Sequence, residues 1–372
     1  MTPPKHVLVD ALQALVEVET PSGNLEALNR GFDVLESLVV DFTGRHPSID
    51  RVEGVPYLYL APTRTPSVLI VGHLDTVWPI GTLTRIPFSV SSGRARGPGV
   101  FDMKAGLVIA LGALAGSSVA DHVGLLVTGD EETGSRTGRP VIERHFAGVE
   151  AVFVPEGAAP GGGLKKARKG VGIYEFAIHG LESHAGLEPE RGINATVEMG
   201  ALIADLLTLQ GNAPGTTVTP TKASSGVTAN TVPADATLYA DVRAWTLADL
   251  ERIDKALRER TPHVPGAAVT VGGGINRPPL EEDGSARIVE LARRAAQDVG
   301  MGSIEAVGVG GASDGNFTAA AGIPTLDGVG AAGGGAHTRD EWVDIDSLSV
   351  RSQWLALVAE RIIEGGLAPA SP

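Results

Sequence analysis

The sequence contains no cysteine. That excludes disulfides, thiolate nucleophiles and cysteine-ligated metal sites together, so any transition metal must be held by histidine and carboxylate. Aromatic residues are scarce at 4%, although 43% of the chain is hydrophobic. The core must therefore be built from Val, Leu, Ile and Ala, a composition that suits α/β layers. Positive charge is in deficit: 30 Lys and Arg against 44 Asp and Glu leave a net charge of −14, a field that repels phosphate backbones and anionic lipid. Neither nucleic acid nor a membrane surface is expected as a partner. No apolar run is long enough to span a bilayer, and "MTPPKHVLVDALQALVEVETPSGN" lacks the basic and apolar regions of a secretion signal. A cytoplasmic protein is expected, with fraying at the small, Pro-rich end "GGLAPASP".

What is present has a clear order. At 372 residues the chain exceeds what one core usually serves, so two domains are expected. Helical spacing at 6–19 and 25–42 gives way to the β-branched run "SVLIVGHLDTV" (67–77), a helical stretch at 103–116, the strand-like "HVGLLVTG" (122–129), a helix near 137–146 and the short strand "EAVFVPEG" (150–157). Such alternation predicts an α/β domain with a mainly parallel sheet and helices on both faces. From about residue 170 the pattern becomes β-α-β-β-α-β, the order of a ferredoxin-like α+β unit. After "NRPPLEEDG" the first texture returns, with a helix at 285–299 and another from about 346. The expected domains are 1–169 with 280–372, and an insert at 170–279. Two glycine-rich stretches (308–315, 328–335) read as tight loops around a site.

In open α/β sheets, residues just past the carboxyl ends of the strands converge on one crevice. His73 and Asp75 end the first predicted strand, Glu131 and Glu132 follow the next, and Glu156 follows the third. Asp102, in the glycine-flanked "GPGVFDMKAG", and His337, after "GAAGGGA", are placed to join them. One carboxylate shared between two groups, each with a His and a further carboxylate, would form a two-metal site of O/N ligands suited to Zn, and also to Mn or Co. Asp75, two residues beyond His73, is expected to accept the second ring N–H of that histidine. The spare glutamate of the adjacent pair is the natural base.

"GHLDTV", "GPGVFDMKAG", "GDEETGS", "PEG", "ESHAG" with "GINA", and "AHTRDEWV" follow one another in a way that resembles the M20 metallopeptidases, over nearly the whole chain. The similarity is greatest to the glutamate carboxypeptidase (carboxypeptidase G2-like) branch, alongside acetylornithine deacetylase and succinyl-diaminopimelate desuccinylase. The resemblance implies His73, Asp102 and Glu156 on one metal, and His337, Asp102 and Glu132 on the other, with Glu131 as general base and a cis peptide after Asp102. It implies that His184 of "SHAG" reaches across a homodimer formed by the insert to stabilise an oxyanion, and that Asn230, Arg243 and Arg277 bind the tetrahedral centre and a substrate carboxylate. "NRPPLE" around Arg277 also reads as a rigid hinge, and Arg243 as a structural ion pair. Ala105 departs from the second glycine often found in "DMKGG".

Cleavage of an amide beside an amino acid with a free carboxylate is the activity these residues imply. The alternatives are an N-acyl amino acid deacylase, and a catalytically silent homologue that binds peptides or mediates assembly. The filled ligand and base positions speak against the silent homologue. Asp314 either lines the site or caps the next helix, and Gly308-x-Gly310 followed by Ser313 is a poor dinucleotide fingerprint. His6, His46, His122, His145, His179 and His263 have no partner pattern.

Overall fold

A computed structural model describes residues 2–211, 213–365 and 367, so most of the Pro-rich end lies outside the described residues. The chain divides into two compact units: residues 1–167, 280–309 and 313–372 form the first, and residues 168–279 with 310–312 form the second.

In chain order the first unit contributes helices α1 (Lys5–Glu17) and α2 (Leu25–Thr43), the hairpin β1 (Ser48–Val52) and β2 (Val55–Leu60), then β3 (Val68–His73), α3 (Ala105–Leu114), β4 (Val123–Thr128), α4 (Gly138–His145), β5 (Ala151–Val154) and β6 (Leu164–Arg168). The second unit contributes β7 (Gly170–His179), α5 (Ala195–Thr208), β8 (Thr217–Ser225), β9 (Asp235–Ala244), α6 (Leu247–Glu259) and β10 (Ala268–Arg277). The chain then returns to the first unit with α7 (Glu282–Asp298), β11 (Ala306–Val309), α8 (Gly315–Ala320), β12 (Thr325–Asp327) and α9 (Ile345–Gly365).

The large sheet has the order β1-β2-β4-β3-β5-β12-β6-β11. Its centre, β4-β3-β5-β12, is parallel, whereas β1, β2 and β6 pair antiparallel. The β1–β2 hairpin and this antiparallel flank are absent from the sequence reading. The run predicted at 67–77 stops being a strand at His73.

Every residue of β3, β4 and β5 is buried, because both sheet faces are covered. Alternation then sends neighbours to different cores. Val68 and Ile70 join Leu107, Leu111 and Val358 on one face, while Leu69 and Val71 meet Val141, Ile142 and Phe317 on the other. Helix α3 is buried on all sides, as expected of a helix apolar all round. Gly106 lets its backbone reach the strand-end loop: a Cβ there would lie 1.7 Å from the Pro155 carbonyl oxygen. No side chain fits without moving one of the two backbones.

The main sheet of the second unit is antiparallel, β8-β9-β7-β10, and a two-stranded antiparallel pair, Ser183–His184 with Thr231–Val232, accompanies it. Numbered within the unit that order is 2-3-1-4, which with β-α-β-β-α-β connectivity is the ferredoxin-like arrangement. One face of its strands is apolar: Tyr174, Phe176 and Ile178 of β7 and Leu238, Ala240 and Val242 of β9 pack with Leu202 and Leu206 of α5 and with Leu250, Ile253 and Leu257 of α6. Asn194 caps α5, its Oδ1 accepting from the Thr196 and Val197 N–H groups. Among the described residues no helix is long and apolar enough to cross a membrane.

Gly106→Ala is expected to destabilise the first unit by about 1–3 kcal/mol, the usual cost of overpacking. Its denaturant midpoint, compared with that of wild type, checks this; an unchanged midpoint would contradict the close backbone approach.

Candidate metal centre

The parallel strands β4, β3 and β5 end side by side, and their carboxyl ends carry the acids and imidazole. His73 closes β3 opposite Thr128 of β4, Glu131–Thr133 form a short 3-10 turn beyond β4, and Glu156 lies two residues beyond β5. Asp102 enters from the turn preceding α3, and the Asp102–Met103 peptide bond is cis. His337 follows three consecutive glycines and Ala336 and has φ 61, in the left-handed region where histidine is tolerated better than bulkier residues.

These residues form two groups that share Asp102: His73, Asp102 and Glu156, and Asp102, Glu132 and His337. His73 Nε2 lies 3.4 Å from Asp102 Oδ1 and 3.5 Å from Glu156 Oε1. His337 Nε2 lies 3.2 Å from Asp102 Oδ2 and 3.2 Å from Glu132 Oε2. The two oxygens of Asp102 thus face different imidazoles.

Whether these groups suit a cation can be tested on their own geometry. Tetrahedral ligands 2.0–2.2 Å from one ion stand about 3.3–3.6 Å apart, and the four separations lie at or just below that range. The buried atoms His73 Nε2 and Glu132 Oε1 make no hydrogen bond, which is costly unless something else occupies their lone pairs. Electrostatics agree. Asp75, Asp102, Glu131, Glu132 and Glu156 set five carboxylates around two imidazoles. His337 is pushed up to about 10 by the Asp102 and Glu132 carboxylates. His73 is buried, which disfavours its charge, yet Asp102, Asp75 and Glu156 outweigh burial and raise it. Burial raises Glu132 against the opposing pull of His337. The residues fit a pair of divalent cations, which would replace the protons as the neutralising charge.

Asp75 stands at the second ring nitrogen of His73 as the sequence suggested, but its main-chain oxygen is the nearer partner. His73 Nδ1 hydrogen-bonds the main-chain oxygen of Asp75 at 3.0 Å, with the carboxylate Oδ1 at 3.4 Å. The strand has already ended, so the two-residue alternation no longer applies. The Asp75 carboxylate also accepts from the Glu131 and Glu132 N–H groups, each at 3.1 Å, and from Ser22 Oγ at 2.7 Å. It binds the turn that carries both glutamates to the end of β3. Asp130 completes this acidic run with a third task, accepting from the Thr137 and Gly138 N–H groups at the start of α4.

The Asp314 side chain does not cap α8. Ser135 Oγ and Thr128 Oγ1 donate to it, and Ser313 Oγ takes the capping role by accepting from the Gly315 N–H. Sequence reasoning missed Ser22 and Glu341, whose contacts are 53 and about 240 residues away in the chain; Glu341 stands within "AHTRDEWV", but nothing local shows what either side chain binds.

Four expected residues belong to the second unit. His184 pairs with Thr231 across two short strands, and Ala185 N–H donates to the Asn230 oxygen, so His184 and Asn230 stand close together. His184 Nδ1 accepts from the Gly186 and Leu187 N–H groups, which assigns the ring proton to Nε2. Arg243 donates to both oxygens of Asp241 and to the Gly310 oxygen, the ion-pair arrangement that its strand position also allowed. Arg277 is buried, and its Nη1 donates to Asn276 Oδ1 at 3.4 Å.

The sequence profile of peptidase family M20/M25/M40 matches residues 69–361. The chain belongs to this family. As an M20-type metallohydrolase, it is 30% identical over 381 residues to carboxypeptidase G2 of Pseudomonas sp. (strain RS-16), covering 98% of this chain and 91% of that one. In fold it is similar to the aminopeptidase PepT of Bacillus cereus ATCC 10987, with a TM-score of 0.75 at 21% identity over 97% of this chain and 99% of the other. It is also similar to the YXEP protein of Bacillus subtilis, described as a dinuclear metal-binding peptidase of the M20 family, with a TM-score of 0.69 at 19% identity over 97% and 98%.

Chelator-stripped protein should gain thermal stability when Zn, Co or Mn is added, by about 2.7 kcal/mol per ion at a hundredfold excess over its dissociation constant. A melting temperature indifferent to all three would contradict a cation site here.

Proposed function

We propose that the protein is a metal-dependent amidohydrolase of glutamate carboxypeptidase type, cleaving the amide between an acyl or peptidyl group and an amino acid that keeps its α-carboxylate. The observation that supports this most is the pair of ligand groups sharing Asp102 beside an adjacent glutamate. In this reading His73, Asp102 and Glu156 hold one divalent cation, and Asp102, Glu132 and His337 the other, with Zn the leading candidate and Co or Mn able to replace it. Such a pair, when bound, activates water and polarises the carbonyl under attack.

Glu131 takes a proton from the attacking water, whose oxygen bonds to the carbonyl carbon, and returns it to the leaving nitrogen as the C–N bond breaks. Its backbone N–H is fixed by Asp75, so its position does not depend on substrate. His184, protonated on Nε2, is arranged to donate to the oxyanion. We assign it to the active site of the other protomer in a homodimer built by the second unit, which makes that unit a dimerisation domain and the first the catalytic domain. Asn230 supports the tetrahedral centre. Arg243 and Arg277 supply guanidinium forks for the substrate carboxylate, Arg243 by exchanging its Asp241 partner. An acidic, cysteine-free chain suits the reducing cytoplasm, where we place the enzyme.

Hydrolysis of dipeptides ending in glutamate and of N-acyl amino acids, each with Zn, Co or Mn supplied, tests the reading. Preference for acylated diamino acids would favour a deacylase of acetylornithine or succinyl-diaminopimelate type, and absence of any amidase activity in metal-loaded protein would refute it. Glu131→Gln should keep both ions and lose about 10²–10⁴-fold in kcat, whereas Glu132→Gln should lose an ion; metal content and kcat distinguish the two. Mixed His184→Ala and Glu131→Gln subunits should recover activity if His184 serves the other protomer, and exchange without recovery would rule that out.

A further inference from the structure

Glu341 is 2% exposed, and its two oxygens collect four N–H donors from two distant segments. Oε1 accepts from Phe101 at 2.8 Å and from Asp102 at 3.0 Å. Oε2 accepts from Gly99 at 3.0 Å and from the Trp78 indole Nε1 at 3.2 Å. Three main-chain N–H groups within four residues form a concave anion cradle, made possible by Gly99 at φ 70. The anion in it comes from the chain itself, four residues after His337. One carboxylate therefore ties the loop carrying Asp102 to the loop carrying His337 and to the segment beyond β3.

We propose that Glu341 is the positioning residue of this centre: it sets the Asp102 loop in its ligating geometry before a cation arrives, acting through the Asp102 backbone rather than by touching substrate. This rests on the assignment of Asp102 as the ligand common to both ions. Both sites depend on Glu341 because both use Asp102, one oxygen each. An amide cannot replace it. Glutamine offers one acceptor oxygen, and its NH2 would face two of the donors that now point at a carboxylate, leaving them buried without partners. Aspartate keeps the charge but is one methylene too short to span all four.

Glu341→Gln and Glu341→Asp should each weaken Zn binding at both sites by about 10–100-fold, the range for residues that orient metal ligands, measured by competition with a chromophoric chelator. Glu198→Gln removes an equally buried acid from the second unit, where Glu198 pairs with Arg260; it should lower stability and leave both affinities unchanged. A folded Glu341→Gln protein with wild-type affinities overturns the proposal. Hydrogen exchange on chelator-stripped wild type decides the matter even if the variants do not fold. The Phe101 and Asp102 amides should remain protected to the level of α3 without metal, and exchange at the rate of an open loop overturns the proposal. Wild type that binds no cation would instead refute the proposed function, while the exchange result would still judge Glu341.

Discussion

Like charges brought together by parallel strands are the constraint from which the rest of this site follows. Strands β4, β3 and β5 end at one edge because they are parallel neighbours, and their following loops bring carboxylates into contact that would repel one another in a water-poor pocket. Positive charge must compensate. In the chain alone it comes from His73 and His337, whose proton affinities rise for this reason, and from Lys165, whose Nζ lies 3.8 Å from Glu156 Oε2; a pair of divalent cations satisfies the same demand with the ligand spacing already in place.

The neighbouring acids are held apart by what their main-chain groups do. Asp130 is committed to the start of α4. Asp75 fixes the N–H groups of both Glu131 and Glu132, so the side chain of Glu132 meets His337 while Glu131 keeps its own place in the turn. Glu341 does for the Asp102 loop what Asp75 does for the glutamate turn. In each case a buried carboxylate is satisfied by backbone N–H groups, whose directions are set by the chain and cannot relax as a flexible side chain would.

Close backbone contact makes the arrangement compact. Gly106 brings α3 against Pro155, and Gly157 faces the Phe101 ring with room for no Cβ, so the loops bearing Asp102 and Glu156 touch directly. The Ala105 substitution, one residue earlier, costs nothing visible: its side chain is buried with the core of α3.

Much of this was legible in the sequence, and for identifiable reasons. Strands buried on both faces read as continuous apolar runs, so β3, β4 and β5 announced themselves, and the acids at their ends followed from the rule that parallel strands share a carboxyl edge. The inserted β-α-β-β-α-β unit was visible in its alternating strands. The antiparallel β1–β2 hairpin was not, because its short, half-exposed pattern carries no strong period. Strand pairing also lay beyond the sequence, as did the Asp75 carboxylate turning to a backbone 56 residues on, Asp314 binding Ser135 and Thr128, and Glu341 reaching back about 240 residues to the Asp102 loop. The sequence by itself determined which residue types fall at and just past the ends of the central strands, since strands buried on both faces read as continuous apolar runs, although β3 stops at His73, short of its run. Only the tertiary structure decided which buried carboxylates face imidazoles and which face N–H groups, because that choice depends on donors supplied from elsewhere in the chain.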